Sequence, residues 1–310
     1  MRILIELPTW LGDAVMATPA IENLVNHFSD VEITLLGSFV SIEILKNHPK
    51  VIKTYVLDKK FVNLYKTLKD FGEFDVFFSF RSSFRSKFIK FCISSKSKYK
   101  FDKRKYNRDH QVEKYNNFIN DSLNINTTPS KLILHAHTEK QSKDRKNKLL
   151  GINPGASYGS AKRWYPEEFA DVASDLSSQY DIIIFGGPGE IDIAKDIENY
   201  LIEYGIDNYQ NLAAETTIKE LITQISNLDL FVTGDSGPMH LAAALQVPTV
   251  AIFGPTNDRE TSQWMNEKSV IVKKNLECQP CMKRTCPLKH HNCMKFVEAS
   301  DVLGAAKRLN

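Results

Sequence analysis

The sequence has no apolar run long enough to cross a membrane, since no segment approaches about 18 consecutive apolar residues. The N-terminal stretch also lacks the unbroken apolar core of a signal peptide, because Glu6 and Pro8 interrupt it. Internal repeats and low-complexity tracts are absent too, which excludes solenoid and linker classes. These absences predict a cytoplasmic globular protein.

Two common nucleotide-binding signatures are missing as well. The chain has no Gly-x4-Gly-Lys-Ser/Thr loop, which disfavours a P-loop nucleotide site. It also lacks the spacing Gly-x-Gly-x-x-Gly, which disfavours a Rossmann dehydrogenase. A nucleotide site in this protein must therefore use other loops.

Charge is nearly balanced over the whole chain, whose formal net charge is +3, but one segment is strongly basic. Residues 81–109 are rich in Lys and Arg, have only Asp102 and Asp109 as acids, and interleave the cations with Phe and Tyr. Such a segment suits a phosphate-rich partner, whether an anionic membrane surface, a phosphorylated lipid or a nucleic acid. A solvated helix face explains the same pattern equally well.

Length and hydrophobic patterning predict two α/β domains. A chain of 310 residues exceeds what one core usually organises. Short apolar bursts alternate with helix-length segments, which is typical of βαβ units and parallel sheets. A polar stretch at 120–148 places the boundary near residue 147, giving doubly wound domains 1–147 and 148–310. The bursts are 3–7, 31–36, 51–57 and 74–80, then 149–152, 182–185, 230–232 and 250–253.

Ligands of such sheets bind beyond the carboxyl ends of the strands, so the loops there are candidate sites. The first of these loops ends in Gly12 and Asp13, before a helix predicted to start near Ala14. Asp13 would cap that helix, because an Asp side chain accepts N–H bonds and complements the helix dipole. Alternatively it is a general base that deprotonates an acceptor hydroxyl, with Gly12 allowing close approach. The local sequence leaves both interpretations open.

Two loops of the second domain have features of anion or nucleotide sites. The loop 153–166 contains several small residues, Ser157 among them, whose backbone N–H groups and hydroxyls can point toward one anion. Lys162 and Arg163 of the same loop can neutralise that anion. A solvated surface loop is the alternative. The loop Gly186–Glu190 can approach a nucleotide, with Glu190 accepting ribose hydroxyls, although glycines at such turns usually serve turn geometry alone.

The most specific pattern is residues 232–256, which reads as strand, helix, strand and loop. Asp235, Ser236 and Gly237 at the start of the helix can present a hydroxyl and N–H groups to a diphosphate, an arrangement that capping also uses. His240 lies one turn inside the helix, where a lone His is more often structural. A hydrolase triad of His240 with Asp235 and Ser236 is rejected, because we expect no Gly-x-Ser-x-Gly elbow in the chain.

Together these motifs resemble those of glycosyltransferase family 9. The resemblance spans the chain, is strongest in the second half, and rests on Gly12–Asp13, Pro154–Ala156 with Ala161–Trp164, Asp235–Gly237 with Met239–His240, and Phe253–Pro255. It implies a GT-B architecture, in which two Rossmann-like domains face a cleft. The first domain would bind the acceptor and the second the donor, and the last helix can pack back on the first domain.

The resemblance also implies the reaction, an inverting transfer of heptose from ADP-L-glycero-D-manno-heptose to a heptose of the lipid A inner core. The acceptor would be reached by peripheral contact with the cytoplasmic face of the inner membrane. Asp13 is the implied base and Lys162 the phosphate-neutralising lysine. The implied donor-binding residues are Ser157, Lys162, Glu190, Asp235, Ser236, Gly237 and His240. The residues that select adenine do not transfer, although 212–217 lie near the expected place.

Cofactors and rival functions follow from the same comparison of motifs. No Asp-x-Asp motif is present, so we expect no metal at the active site and no required cofactor. One rival is a nucleotide-sugar epimerase of the same architecture, which would need no acceptor. The other is a non-catalytic nucleotide- or nucleic-acid-binding module, but no RNA-binding signature accompanies the basic segment, so no nucleic acid is expected.

Four of the five cysteines are clustered as Cys278-x2-Cys281-x4-Cys286-x6-Cys293, near His290 and His291. Disulfides are not expected in a reducing cytoplasm, and the Cys-x2-Cys element has zinc or iron–sulfur spacing. The other intervals match no standard ribbon or ferredoxin pattern. If these cysteines bind a metal, we expect it to be structural.

Overall fold

The protein, represented by a computed structural model, is described over residues 1–58, 60–106, 109–136, 145–155 and 157–309. Ala156 of the second candidate loop, Arg108 of the basic segment and most of the charged run 139–148 lie outside the described residues. The chain divides into two compact units, Met1–Ala136 and His137–Asn310. The boundary predicted near residue 147 falls in the same connection between the two sheets. Among the described residues, no helix has the length and apolar character needed to span a membrane.

Unit 1 is a five-stranded parallel sheet with the strand order β3-β2-β1-β4-β5. The central strands are buried on both faces, which is why they read as continuous apolar bursts. The strands are β1 (Arg2–Glu6), β2 (Glu32–Gly37), β3 (Val51–Val56), β4 (Glu73–Ser79) and β5 (Ser94–Lys100). The helices are α1 (Leu11–Met16), α2 (Thr18–His27), α3 (Phe39–Leu45), α4 (Phe61–Lys69), α5 (Phe84–Cys92) and α6 (Gln111–Leu123).

Unit 2 is a six-stranded parallel sheet with the order β11-β10-β9-β6-β7-β8. The strands are β6 (Lys148–Asn153), β7 (Tyr180–Ile184), β8 (Tyr209–Asn211), β9 (Leu230–Gly234), β10 (Thr249–Ile252) and β11 (Ser269–Val272). The helices are α7 (Pro166–Leu176), α8 (Ile191–Glu203), α9 (Ile218–Ser226), α10 (Gly237–Ala244), α11 (Asp258–Thr261), α12 (Asn292–Lys295) and α13 (Ala299–Ala306). The predicted fold class, two doubly wound α/β units, is confirmed.

The strand order reverses beside the first strand of each sheet. In unit 1 the reversal lies between β1 and β4, and in unit 2 between β6 and β9. A crevice opens at such a switch point, outside the carboxyl ends of the two strands. The first turn of α1, which contains Asp13, follows β1, and the loops with Lys162 and Asp235 follow β6 and β9. The strand order thus indicates that these predicted segments, of the many connections in the chain, lie at the switch points of the two sheets.

Three strands were not predicted, namely β5, β8 and β11; all three are edge strands, β5 and β8 are polar, and β11 has an apolar run of only three residues. The strand β5 alters the interpretation of the basic segment. Residues Phe84–Cys92 are helical, but Ser94–Lys100 pair with β4, so a single solvated helix face is wrong for residues 81–109.

The last helix also differs from expectation. Val302, Ala305 and Ala306 of α13 join the core of unit 2, where the helix contacts α7, β10 and β11. Its buried face therefore packs within unit 2, and additional packing of this helix on the first domain stays a prediction.

Candidate active site

Lys162 and Asp235 form an ion pair at the switch point of unit 2. Lys162 ends a short 3-10 turn, Ser160–Lys162, and its Nζ lies 2.5 Å from Asp235 Oδ2 and 3.2 Å from the Asp235 backbone oxygen. Thr256 Oγ1 donates to the same Oδ2 at 2.6 Å. An ammonium has three N–H donors, and Asp235 takes two of them. The third can serve an oxygen of a ligand while the lysine stays in place.

Ser236 lies at the N-cap of α10 but does not cap it, because its side chain makes no hydrogen bond to the first turn. Its hydroxyl is instead 3.1 Å from Asn153 Nδ2, which donates to it, and 3.1 Å from Thr233 Oγ1. Gly237 begins the helix, and His240 is buried within it. A helix N-terminus favours an anion, so Ser236 and this first turn suit a phosphate.

Glu190 brings two of the predicted loops together. Its Oε2 accepts the backbone N–H of Gly187 at 2.5 Å, and the side chain is buried. A Cβ at Gly155 would lie 2.4 Å from the Glu190 side chain, so only glycine fits at 155. The carboxylate therefore lies against the loop that follows β6, with Oε1 as its oxygen nearest to Gly155.

Sequence reasoning missed an aromatic ring beside the lysine. Lys162 Nζ lies 4.7 Å from the centroid of the Tyr158 ring, and Arg284 Cζ lies 5.2 Å from it. Tyr158 OH donates to the Met282 backbone oxygen at 2.7 Å, which fixes the ring. Asn153, Thr233 and Thr256 were missed as well, because nothing in their local sequence marks them as partners of Ser236 or Asp235.

The structure does not bring Ser157 to these contacts, since it is exposed in the turn before Ser160. Residues 155–159 do spell Gly-x-Ser-x-Gly. A nucleophile elbow, however, places its serine on a sharp turn that leads straight from a strand into a helix. Ser157 instead precedes a 3-10 turn, so the hydrolase interpretation fails for this serine too.

In unit 1, Asp13 is not the N-cap of its helix. The helix α1 begins at Leu11, its N-cap is Trp10, and Asp13 is the acidic residue of the first turn. Asp13 is therefore not at the N-cap position, because the helix starts earlier than its apolar pattern indicated, but as an acidic residue of the first turn it complements the helix dipole, as predicted. Asp13 lies near the buried Tyr115: burial, and then the negative charge of Asp13, raise the pKa of that phenol well above 10.

A buried carboxylate lies beside this site and was not predicted. Glu6, the last residue of β1, is fully buried and accepts the hydroxyls of Ser79 at 2.6 Å and Ser86 at 2.9 Å. Arg81 NH1 lies 3.6 Å from its Oε1. Burial raises the pKa of Glu6, although the two serines and Arg81 oppose the shift. The sequence signal was a Glu inside an apolar strand, which we used only to exclude a signal peptide.

The four clustered cysteines line one small cavity of about 20 Å³ together with His290 and His291. Among the described residues, however, no three of these thiols lie within 4.8 Å of one another. Burial and then the neighbouring Cys278, Cys281 and Cys286 raise the pKa of Cys293 to about 11. A structural metal at these cysteines stays a prediction, and metal analysis of the purified protein tests it.

Comparisons with known proteins identify the family. The model of glycosyltransferase family 9 (heptosyltransferase) matches residues 63–292. Lipooligosaccharide heptosyltransferase 2 of Campylobacter jejuni is 45% identical, and the alignment covers 100% of this chain and 98% of that protein. The solved structure of E. coli ADP-heptose lps heptosyltransferase II superposes with a TM-score of 0.81 at 22% identity, covering 100% of this chain and 98% of that one.

A second solved structure, E. coli heptosyltransferase WaaC with ADP, superposes with a TM-score of 0.78 at 16% identity and covers 100% of both chains. At this identity the two structural matches establish the fold, which is that of these heptosyltransferases. The family match and the full-length relative establish more than the fold. The chain belongs to glycosyltransferase family 9, the heptosyltransferase family.

Proposed function

We propose that this glycosyltransferase moves heptose from ADP-heptose to a heptose of the lipopolysaccharide or lipooligosaccharide inner core. The full-length relative named lipooligosaccharide heptosyltransferase 2 supports this substrate class. The observation that carries the mechanism is the Lys162–Asp235 pair beside the N-terminus of α10. It supports a site for a diphosphate, the group that leaves when the sugar is transferred.

In the donor half, Lys162 would neutralise the phosphate that gains charge as ADP departs. Asp235 holds the ammonium through two atoms, so the lysine needs no reorganisation at the moment of reaction. Ser236 Oγ and the first turn of α10 would donate to the same phosphate. Glu190 Oε1 would accept a ribose hydroxyl, while Gly237 gives the backbone room and His240 and Ser157 border the donor.

In the acceptor half, Asp13 would take the proton of the attacking hydroxyl. The displacement would occur in line at the anomeric carbon, in one step and with inversion. The carboxylate lies near Tyr115, whose deprotonation its negative charge disfavours, so the phenol keeps its proton and can hydrogen-bond the acceptor or the carboxylate. No metal is needed in this scheme, because Lys162 and the helix N-terminus supply the positive charge.

A lipid-linked acceptor requires contact with a membrane surface, and α5 has the features for it. Phe84 and Phe91 are 78% and 84% exposed, and they lie on one helix face with the exposed Lys87 between them. Apolar rings beside cations suit the headgroup region of an anionic bilayer. We therefore place peripheral contact with the cytoplasmic face of the inner membrane at this helix, and no nucleic acid is needed to explain the basic segment.

The deciding experiment is mass spectrometry of the products formed from ADP-heptose and a mono-heptosylated, Kdo-bearing lipid A. We expect a gain of one heptose on the acceptor with wild-type protein and none with Asp13→Asn. An intact acceptor with isomerised donor would replace the proposal with the epimerase. Binding of ADP without turnover of any heptosylated acceptor would replace it with the binding module.

A further inference from the structure

Three side chains of unit 1, far apart in sequence, bring metal-ligand atoms together away from the candidate active site. They are Glu22 on α2, His48 in the turn between α3 and β3, and His135 near the end of the unit. One ligand atom of each lies within 4.8 Å of the other two. Glu22 Oε1 is 2.8 Å from His135 Nε2 and 3.2 Å from His48 Nε2.

From this geometry we propose that Glu22, His48 and His135 form a binding site for Zn²⁺ or a similar divalent transition metal. Two imidazoles and one carboxylate are a common donor set for zinc, with a water as the fourth ligand. In a tetrahedral site with bonds of 2.0–2.1 Å, neighbouring ligand atoms lie about 3.3 Å apart. The distances from Glu22 Oε1 to the two Nε2 atoms are already within about 0.5 Å of that value.

The site is enclosed but accessible. The His48 side chain is 3% exposed, whereas His135 and Glu22 are 27% and 20% exposed and leave a path for an ion and its water.

One contact opposes metal binding and predicts a moderate affinity. His48 Nδ1 accepts the backbone N–H of Lys50 at 3.0 Å, so the neutral ring carries its proton on Nε2. A metal on Nε2 moves that proton to Nδ1 and costs the hydrogen bond to Lys50. We therefore expect weaker binding than in sites whose histidines donate their second N–H to an oxygen.

An ion here would connect α2, the turn after α3 and the final segment of unit 1. That segment is already anchored on α2, because Thr18 Oγ1 accepts the backbone N–H of Ile133 at 3.0 Å. A ligand that binds only the folded state raises stability, so the metal should raise the melting temperature of the protein. This inference is independent of heptose transfer.

The test is a titration of the chelator-treated full-length protein with Co²⁺ and Zn²⁺, read by calorimetry, visible absorption and melting temperature. We expect one equivalent of Co²⁺ whose spectrum lacks thiolate charge transfer, with an affinity lowered by at least about tenfold in Glu22→Gln and in His135→Gln. The matched control is His27→Gln, an exposed histidine on the same helix, which should bind like wild type.

The clustered cysteines could also take these ions, so the spectrum separates the two sites. Co²⁺ bound to the cysteines shows thiolate charge transfer, and this binding persists in the Glu22→Gln variant. The proposal is overturned if all bound metal is of that kind, if no metal binds, or if Glu22→Gln and His135→Gln bind like wild type.

Discussion

Asp235 Oδ2 receives both the ammonium of Lys162, at 2.5 Å, and the hydroxyl of Thr256, at 2.6 Å. Both charged side chains are largely shielded, with exposed fractions of 12% for Lys162 and 5% for Asp235. An ion pair in such a place costs desolvation, and removing one partner leaves the other charge uncompensated. The pair thus holds the Lys162 ammonium in a fixed position at the start of α10.

Lys162→Ala should weaken ADP binding by roughly tenfold to a hundredfold, since a hydrogen bond to a charged group is worth about 1.5–3 kcal/mol. It should also slow transfer, because the departing diphosphate loses its cation. Isothermal titration with ADP measures the first effect. The control is Lys195→Ala, an exposed lysine paired with Glu198 on α8, whose ADP affinity should not change. Equal ADP affinity in both variants would exclude the phosphate role.

Asp13→Asn should lower kcat by roughly 100- to 10,000-fold while ADP affinity stays within about twofold of wild type, because an amide cannot accept the acceptor proton. Steady-state transfer assays and ADP titration measure the two quantities. Asp70→Asn, at an exposed helix end of the same unit, is the matched control. Normal kcat in Asp13→Asn would remove it from the mechanism.

Gly155→Ala should destabilise the protein by about 1–3 kcal/mol or displace Glu190, because the new Cβ would lie 2.4 Å from that side chain. Donor binding should weaken with it if Glu190 contacts the ribose. Gly189→Ala is the control, since its Cβ would meet no atom within 4 Å although it precedes Glu190. Denaturant unfolding measures the stability of both variants, and titration measures their affinity for the donor. Equal stability and equal donor affinity in the two variants would contradict the close contact between residue 155 and Glu190.

Glu6→Gln should change how stability depends on pH. Burial raises the pKa of Glu6 above 4.5, so the folded state holds a proton that the unfolded state has already lost. Wild-type stability therefore falls as the pH rises from 4.5 through the raised pKa, and the glutamine variant lacks this loss. As the pH rises from 4, the melting temperature of the variant should increasingly exceed that of the wild-type protein. Glu73→Gln, exposed at the start of β4, should track wild type instead.

Replacing both Phe84 and Phe91 with Ser should weaken binding to vesicles that contain an anionic lipid, since each exposed ring can bury its apolar surface in the interface. Transfer to a detergent-free lipid acceptor should fall with it, whereas transfer to a short soluble acceptor should not. Vesicle co-sedimentation measures the first effect. As a control, Val62→Ser and Tyr65→Ser change exposed apolar residues on α4. If the α5 variant binds vesicles like wild type, the membrane contact lies elsewhere.

Hydrophobic periodicity located the strands that lie inside each sheet, because a strand buried on both faces must be apolar throughout. It also located the edge strand β3, although most of its residues are exposed, but it missed β5, whose serines and lysines alternate and give no apolar signal. The start of α1 was misplaced because Leu11 and Gly12 extend the helix before its regular apolar pattern begins. An apolar pattern thus indicates that an element exists more reliably than it indicates how buried the element is or where it ends.

The sequence by itself determined the α/β class and the resemblance to glycosyltransferase family 9, because both depend on patterns within short segments, among them those that contain Asp13, Lys162 and Asp235. Only the tertiary structure decided which side chains meet. The parallel order of β6 and β9 brings Lys162 to Asp235, although 73 positions separate them along the chain. Glu6 meets Ser79 by the same pairing of β1 with β4. Such contacts follow from strand order, which arises from the packing of the whole sheet and leaves no mark in the local sequence.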